Sequence, residues 1–155
     1  IYIISMNIVL TPTQFKTENV YFTEAIENTV MDDSKFIKII YSTQFVILNG
    51  VFIEFKINIT NKENYFKKIK YNFDVNSNNS ILQSIFTIET DILNHYNSNK
   101  HNKHIIRDSL SSGIIKIFPN SDNELINSNG KFILKISGLW ENIHECGLTY
   151  KLVSV

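Results

Sequence analysis

Alternating apolar and polar residues dominate the middle of the chain, between residues 36 and 75. A period of two places apolar side chains on one face of a β-strand and polar side chains on the other. Two apolar runs there are joined at Asn49-Gly50, a dipeptide typical of hairpin turns because both turn positions require a positive φ. A third alternating run follows a polar connection at residues 61–64. The pattern predicts a three-stranded antiparallel meander with one buried face and one lysine-bearing face.

The hydrophobic period changes from 2 to 3.6 after a polar break at residues 76–80. Apolar residues then form a single stripe, which predicts an amphipathic helix over about residues 80–96. Ser80 and Gln83 fit a capping box at the start of this helix. A shorter helix is predicted over residues 104–110. The apolar stripe consists of Ile81, Leu82, Ile85, Ile88, Ile92, Leu93 and Tyr96.

Three more strands are predicted near the end of the chain, at residues 114–118, 131–140 and 147–155. A short strand at residues 7–11, ended by Pro12, is predicted at the start. Strands, then one or two helices, then closing strands are typical of an OB-like antiparallel barrel, in which closure removes exposed strand edges. A two-layer α+β sheet is the alternative. The predicted fold class is mainly β with one or two helices.

Length and composition fit a single domain. A chain of 155 residues with 43% hydrophobic residues can bury a substantial core. The domain is predicted to span residues 6–155, with Met6 as the natural start and residues 1–5 as a non-native N-terminal extension. A single cysteine, Cys146, excludes an internal disulfide and fits an intracellular location. No apolar run reaches the ~18 residues that a membrane span requires, so no membrane partner is expected.

Residues capable of catalysis are scattered along the sequence. His101, His104 and Cys146 have zinc-like local spacing, but a structural zinc site needs four ligands and the C-x-x-C half is absent. Cys146 lies two residues from His144, with no acid identified to orient the histidine. The five glycines are dispersed rather than gathered in a phosphate-binding loop. We therefore expect no enzymatic activity, no metal and no cofactor.

The net charge is zero, but the charges are unevenly distributed. Residues 1–34 carry a net charge of −4, residues 35–116 carry +5, and the remainder carries −1. A local excess of positive charge can attract an anionic partner even when the net charge is zero, because salt screens each charge beyond about 8–10 Å under physiological conditions. The basic centre suits a polyanion, although a plain solvated surface explains it equally well.

The outward face of the predicted meander combines lysines with an aromatic residue. Lys68 and Lys70 on the third strand are expected beside Lys56 on the second, and Lys67 joins them from a twisted strand end. Phe52 shares the face of Lys56. Lysines that contact phosphates and aromatic rings that stack on bases hold single strands without reading their sequence, at ~1–3 kcal/mol per stacked base. Alternatively, these lysines only keep an outer face soluble and block edge pairing.

Two short motifs stand near the end of the chain. Residues 137–140 (SGLW) precede a variable turn, and residues 147–151 (GLTYK) follow it. This segment resembles the closing hairpin of phage-type and giant-virus OB-fold single-stranded DNA-binding proteins, where an S/T-G-x-W strand precedes a G-L-S/T-aromatic-K/R strand. The resemblance implies single-strand coating during DNA replication or repair. The positions that the resemblance carries over are Trp140, Tyr150 and Lys151, and it implies that Trp140 is a stacking platform. Barrel core is the alternative for both aromatic residues.

These observations predict a single-stranded nucleic-acid-binding protein. The Ile-, Asn- and Lys-rich composition is similar to that of proteins from nucleocytoplasmic large DNA viruses, which implies a location in the host cytoplasm, nucleus or viral factory. The expected partners are single-stranded DNA or RNA and, in a homo-oligomer, further copies of the same chain. The alternative is a non-enzymatic structural or interaction protein of a virus particle, which an apolar outer patch around Phe52 and Tyr41 would favour. The predicted binding residues are Phe52, Lys56, Lys67, Lys68, Lys70, Trp140 and Lys151.

Overall fold

β-Strands make up most of the fold. The computed structural model describes residues 8–118 and 130–155, of which 46% are in strands and 20% in helices. The prediction of a mainly β protein with two helices is therefore confirmed. The strands are β1 Val20–Phe22, β2 Ile26–Glu27, β3 Lys35–Ser42, β4 Ile47–Leu48, β5 Val51–Lys56, β6 Ile59–Tyr65, β7 Lys68–Phe73, β8 His101–Lys103, β9 Ile114–Ile117, β10 Lys131–Glu141 and β11 Glu145–Ser154. The helices are α1 Asn79–Tyr96 and α2 Ile105–Leu110, preceded by a short 3-10 turn at Thr17–Asn19.

Strand β10 is the centre of the larger sheet. β11 pairs with it in antiparallel fashion from Phe132 to Glu141. On the other edge of β10, β5 pairs with the first half and β3 with the second half. β1, β2 and β4 extend the sheet from β3, and β8 adds to β11 in parallel. The sheet curls strongly into a half-barrel, as expected for an OB-like fold.

A smaller sheet of β6, β7 and β9 shares the same core. Its β7 strand alternates buried Ile69, Tyr71 and Phe73 with outward polar residues. The Tyr71 ring meets Phe132 of the larger sheet edge-on, with ring centroids 5.2 Å apart. The buried stripe of α1 adds to this core. That stripe consists of Leu82, Ile85, Ile88, Ile92 and Leu93, together with one carboxylate, Glu89.

The predicted meander is wrong in its pairing, because β3 and β5 both pair with β10 instead of with each other. The hairpin turn after β3 lies at residues 43–46, and β4 returns along β3. Asn49-Gly50 forms a corner from which β5 crosses to β10. A Cβ atom on Gly50 would lie 2.7 Å from the carbonyl oxygen of Ile136, so glycine is needed for this close approach.

Residues 61–64 were predicted as a connection, and this prediction is also wrong because they belong to β6. β6 pairs with β7 on one side, and most of its residues are exposed. Polar residues therefore lie on both faces of β6, and its sequence does not show the alternation of apolar and polar residues that is typical of a strand. Of the predicted strand at residues 7–11, residue 7 lies outside the described residues, and residues 8–11 form a single bridge, from Leu10 to Ile53.

Helix α1 begins as predicted, but the capping box at Ser80 and Gln83 is wrong. The N-cap residue is Asn78, whose side chain makes no cap hydrogen bond. Instead, Asn78 Oδ1 accepts the N–H of Asn58 at 2.9 Å, and Nδ2 donates to the carbonyl oxygen of Asp74 at 2.8 Å. The buried amide thus connects the start of α1 to the corner between β5 and β6.

Helix α2 starts at a carboxylate supplied by α1. Glu89 is fully buried, and its Oε2 accepts the N–H of Ile106 at 2.8 Å while Oε1 accepts the N–H of Arg107 at 2.9 Å. Burial raises the pKa of the Glu89 carboxyl, and the two backbone N–H groups oppose that shift. These bonds satisfy two of the donors that a helix start leaves unpaired.

Lys62 on β6 faces the core side of the small sheet, directly opposite Tyr71. Its Nζ lies 5.6 Å from the centre of the Tyr71 ring and is buried without a hydrogen-bond partner among the residues that the structure describes. Enclosing an ammonium group without an acceptor is costly. Lys62→Met should therefore raise the free energy of unfolding by about 1 kcal/mol, as measured by guanidinium denaturation.

Lys67→Met is the matched control for this substitution, because Lys67 is exposed at the β6–β7 turn. It should change stability by no more than about 0.5 kcal/mol. A lower unfolding midpoint for Lys62→Met than for Lys67→Met would contradict the expectation.

Candidate nucleic-acid interface

The seven predicted binding residues occupy three locations. They are Lys67, Lys68 and Lys70 in or beside the small sheet, Phe52, Lys56 and Lys151 on the larger sheet, and Trp140 in its buried part. The expectation that Lys56 lies beside Lys68 and Lys70 is wrong, because β5 pairs with β10 whereas β7 pairs with β6 and β9. The lysines nevertheless form two outer faces.

The outer face of the small sheet carries the first group. Lys70 lies directly opposite Lys116 of β9, and opposite Glu63 of β6 on its other side. Lys68 holds its Nζ 4.7 Å from the centre of the Phe118 ring, a cation–π contact. Phe118 is 59% exposed, so one ring and several ammonium groups face solvent together. Glu63 offsets part of this positive charge.

The outer face of the larger sheet carries the second group. Phe52 of β5, Lys135 of β10 and Lys151 of β11 form one cross-strand row. Lys56 of β5 lies opposite Lys131 of β10 at the other end of the same face. Three of the predicted residues, Phe52, Lys56 and Lys151, therefore do share a surface, although it is not the surface that the predicted meander implied.

A groove of about 630 Å³ lies between β9 and β11 and joins the two faces. Lys116 and Phe118 line it from β9, and Tyr150 and Lys151 line it from β11. Tyr150 also packs against the core with part of its surface. Each of the two lysines in the groove has a second lysine opposite it on the neighbouring strand. The four lysines and the aromatic rings form what we call the lysine track, defined as Lys70, Lys116, Phe118, Lys135, Tyr150 and Lys151.

Trp140 is not available as a stacking platform. It is only 7% exposed, and its directly opposite partner on β11 is Gly147. A Cβ atom at Gly147 would lie 2.7 Å from the indole ring, so the ring covers the glycine closely. Trp140 is therefore buried, as the core alternative required, although it lies outside the main hydrophobic cluster. The Trp and Gly of the closing hairpin are therefore a packing pair.

Five exposed residues of these faces escaped the sequence prediction. They are Tyr65, Phe66, Lys116, Phe118 and Lys135. The register of the closing hairpin places Lys135 beside Lys151 and was a usable signal. Lys116 is the single charged residue in a predicted apolar strand. Tyr65 and Phe66 are adjacent aromatic residues in a polar stretch.

Cys146 and His144, which the sequence analysis considered as a catalytic pair, differ in their exposure to solvent. Burial raises the pKa of the Cys146 thiol, and its Sγ lies 3.2 Å from the Oδ1 of Asn102, to which it donates. His144 is exposed. Within residues 8–118 and 130–155, no group of three or more His, Cys, Asp or Glu side chains is placed to hold a metal ion. Neither described helix is long and apolar enough to cross a membrane.

Comparisons with known proteins yield no relative. No protein-family model, no curated protein and no solved structure matches the chain. The physical properties of the surface are therefore the basis for a functional proposal.

Proposed function

We propose that the protein binds single-stranded nucleic acid, DNA or RNA, along the lysine track. The observation that supports this most strongly is the placement of lysines directly opposite one another, Lys135 with Lys151 and Lys70 with Lys116. Like charges at opposed positions destabilise a sheet. A phosphate backbone lying across these pairs neutralises the repulsion and releases counterions, so binding is favoured.

The aromatic residues of the track favour a single strand over a duplex. Phe118 of the track is exposed, and Tyr150 lines the same groove. Phe52, which lies beside the track opposite Lys135, is half-buried. A base stacks on such a ring only when its own face is free. Lysines without aromatic rings would hold a duplex equally well, so the mixture supports unpaired bases as the ligand.

The proposal is tested by fluorescence anisotropy with labelled oligo-dT over a series of KCl concentrations. The logarithm of the association constant should fall linearly with the logarithm of the salt concentration, with a slope of about −0.7 for each phosphate neutralised. Lys116→Ala and Lys151→Ala should each make the slope shallower by about 0.7, because each removes one phosphate contact. Oligo-U in place of oligo-dT compares RNA with DNA.

Lys16→Ala is the matched control, because Lys16 is exposed but belongs to the acidic N-terminal segment. It changes the net charge equally and should leave the slope unchanged. The absence of binding, or an affinity that does not depend on salt, would contradict the proposal.

In the cell, this activity corresponds to a non-enzymatic coat on single strands exposed during replication or repair. The resemblance of the closing hairpin to giant-virus single-stranded DNA-binding proteins, together with the Ile-, Asn- and Lys-rich composition, supports the proposal that the protein acts in an infected cell. Several copies would then line one strand, and a homo-oligomer is part of the proposal.

An apolar groove supports a second candidate function. Phe52, Leu48, Ile133 and Val153 line a groove of about 290 Å³ on the outer face of the larger sheet. Tyr41, which was expected in the same patch, is 2% exposed. Such a groove suits a protein partner, as in a structural or interaction protein of a virus particle. The oligo-dT titration separates the two candidates, because an interaction protein of this kind does not bind the oligonucleotide.

A further inference from the structure

The turn between β6 and β7 holds two aromatic rings in solvent. Phe66 is 90% exposed and Tyr65 is 56% exposed. Their ring centroids are 4.6 Å apart and the ring planes meet at 80°, so the pair is edge to face. The fold gains their mutual contact but leaves most of Phe66 and more than half of Tyr65 in solvent.

The backbone at Phe66 is in a conformation that side chains disfavour. Its φ is +55°, in the left-handed region. Phe66 and Lys67 are the two central residues of a turn closed by the pair Tyr65 and Lys68. A positive φ at the first central residue alone is the type II′ pattern, where glycine is the usual residue. A strained, exposed ring at a glycine position points to a function outside the stability of the fold.

The aromatic turn stands at one end of the lysine track. Lys67 follows Phe66 directly and is exposed, and Lys68 is the next residue. Lys68 places its Nζ over the ring of Phe118, which lines the groove of the track. A nucleic-acid strand whose phosphates contact these lysines therefore has its bases close to the turn.

We infer that Phe66, supported by Tyr65, is a wedge that enters between two neighbouring bases of the bound strand. This inference rests on the proposed function and names the preferred ligand, a strand with unpaired bases. Two rings at 80° cannot both continue one stack of bases, so one ring inserts and the other braces it. Separating two neighbouring bases costs least where they are unpaired. The wedge thus selects single strands and unpaired segments over a duplex.

Phe66→Gly tests the inference because it changes stability and affinity in opposite directions. Glycine relaxes the positive φ, so the unfolding midpoint should rise. Loss of the ring should weaken binding to oligo-dT by about 5- to 100-fold. An oligonucleotide that contains 2-aminopurine should change its fluorescence when wild type binds, and Phe66→Gly should remove that change. A ring with a merely structural role would give a lower midpoint.

Phe45→Gly is the matched control, since Phe45 is 68% exposed in the hairpin turn between β3 and β4, at residues 43–46. It should leave affinity for oligo-dT unchanged. If Phe66→Gly binds as tightly as wild type while Lys116→Ala still binds more weakly, the wedge is refuted and the proposed function stands. If wild type does not bind oligo-dT, both the wedge and the proposed function are refuted. If Phe66→Gly instead loses binding to phosphatidylserine vesicles at unchanged oligo-dT affinity, the turn contacts lipid and the wedge is refuted.

Discussion

Replacing Glu89 by alanine should lower the free energy of unfolding by about 3 to 5 kcal/mol. The substitution removes the acceptors for the N–H groups of Ile106 and Arg107 and leaves a cavity between α1 and α2. Each buried donor left without a partner costs about 1 to 3 kcal/mol. Urea denaturation followed by circular dichroism measures the loss. A change below about 1 kcal/mol would show that water replaces the carboxylate.

Glu89→Gln is the matched comparison, because it keeps the volume and one acceptor oxygen. Burial, the largest cause, raises the carboxyl pKa above its usual 4.5, so folding favours the protonated form. That contribution is fully present below about pH 4.5 and is lost as the pH rises through the raised pKa of the folded state. Wild type should therefore lose stability relative to Glu89→Gln over this window. A difference that stays constant with pH would contradict the raised pKa.

Gly138→Ala should lower the free energy of unfolding by about 2 to 4 kcal/mol. A Cβ atom there would lie 2.3 Å from the carbonyl oxygen of Ile37 and 2.6 Å from the ring of Phe36. The clash is with the backbone of β3, which cannot retreat without loosening its pairing with β10 at Lys38. Thermal and urea unfolding both report the loss.

Ser137→Ala is the neighbouring control for Gly138→Ala. Ser137 is exposed, and its hydroxyl donates a long, 3.3 Å hydrogen bond to the carbonyl oxygen of Thr149. Its removal should cost about 0.5 kcal/mol. Equal unfolding midpoints for the two variants would show that β3 moves aside freely.

Elements with a strong local pattern could be predicted from the sequence. Helix α1 has a long apolar stripe in which Glu89 is the one charged residue, and its observed bounds Asn79–Tyr96 differ little from the prediction. β10 and β11 alternate clearly and are joined by a short turn, so their pairing was also predictable. In each case the residues that determine the pattern lie within about 25 positions of one another in the sequence.

Pairing between distant strands could not be predicted in the same way. The Asn49-Gly50 signal is local, and it indicates a change of direction without identifying the strand that β5 meets. Because β5 pairs with β10, Phe52 and Lys56 lie on a different sheet from Lys68 and Lys70, contrary to the prediction. The strand β6 was missed because an exposed edge strand needs no apolar face.

The candidate site was predictable in part for the same reason. Lys67, Lys68 and Lys70 remain together because they are neighbours in sequence, and Lys151 was indicated by the closing hairpin. Lys116 joins Lys70 only through the pairing of β7 with β9, which spans a helical region. Trp140 was misassigned because a large aromatic residue in a strand has the same pattern whether it faces solvent or covers a glycine.

The position of β10 has a consequence for synthesis on the ribosome. β3 and β5 emerge roughly 80 to 100 residues before the segments of β10 with which they pair. Translation proceeds at about 5 to 20 residues per second, so the hydrogen-bonding edges of β3 and β5 remain without their final partner for several seconds. Such edges are templates for aggregation. The nascent chain is therefore open to chaperones at these edges until β10 has emerged, and the pairing of β10 with β3 and β5 covers them.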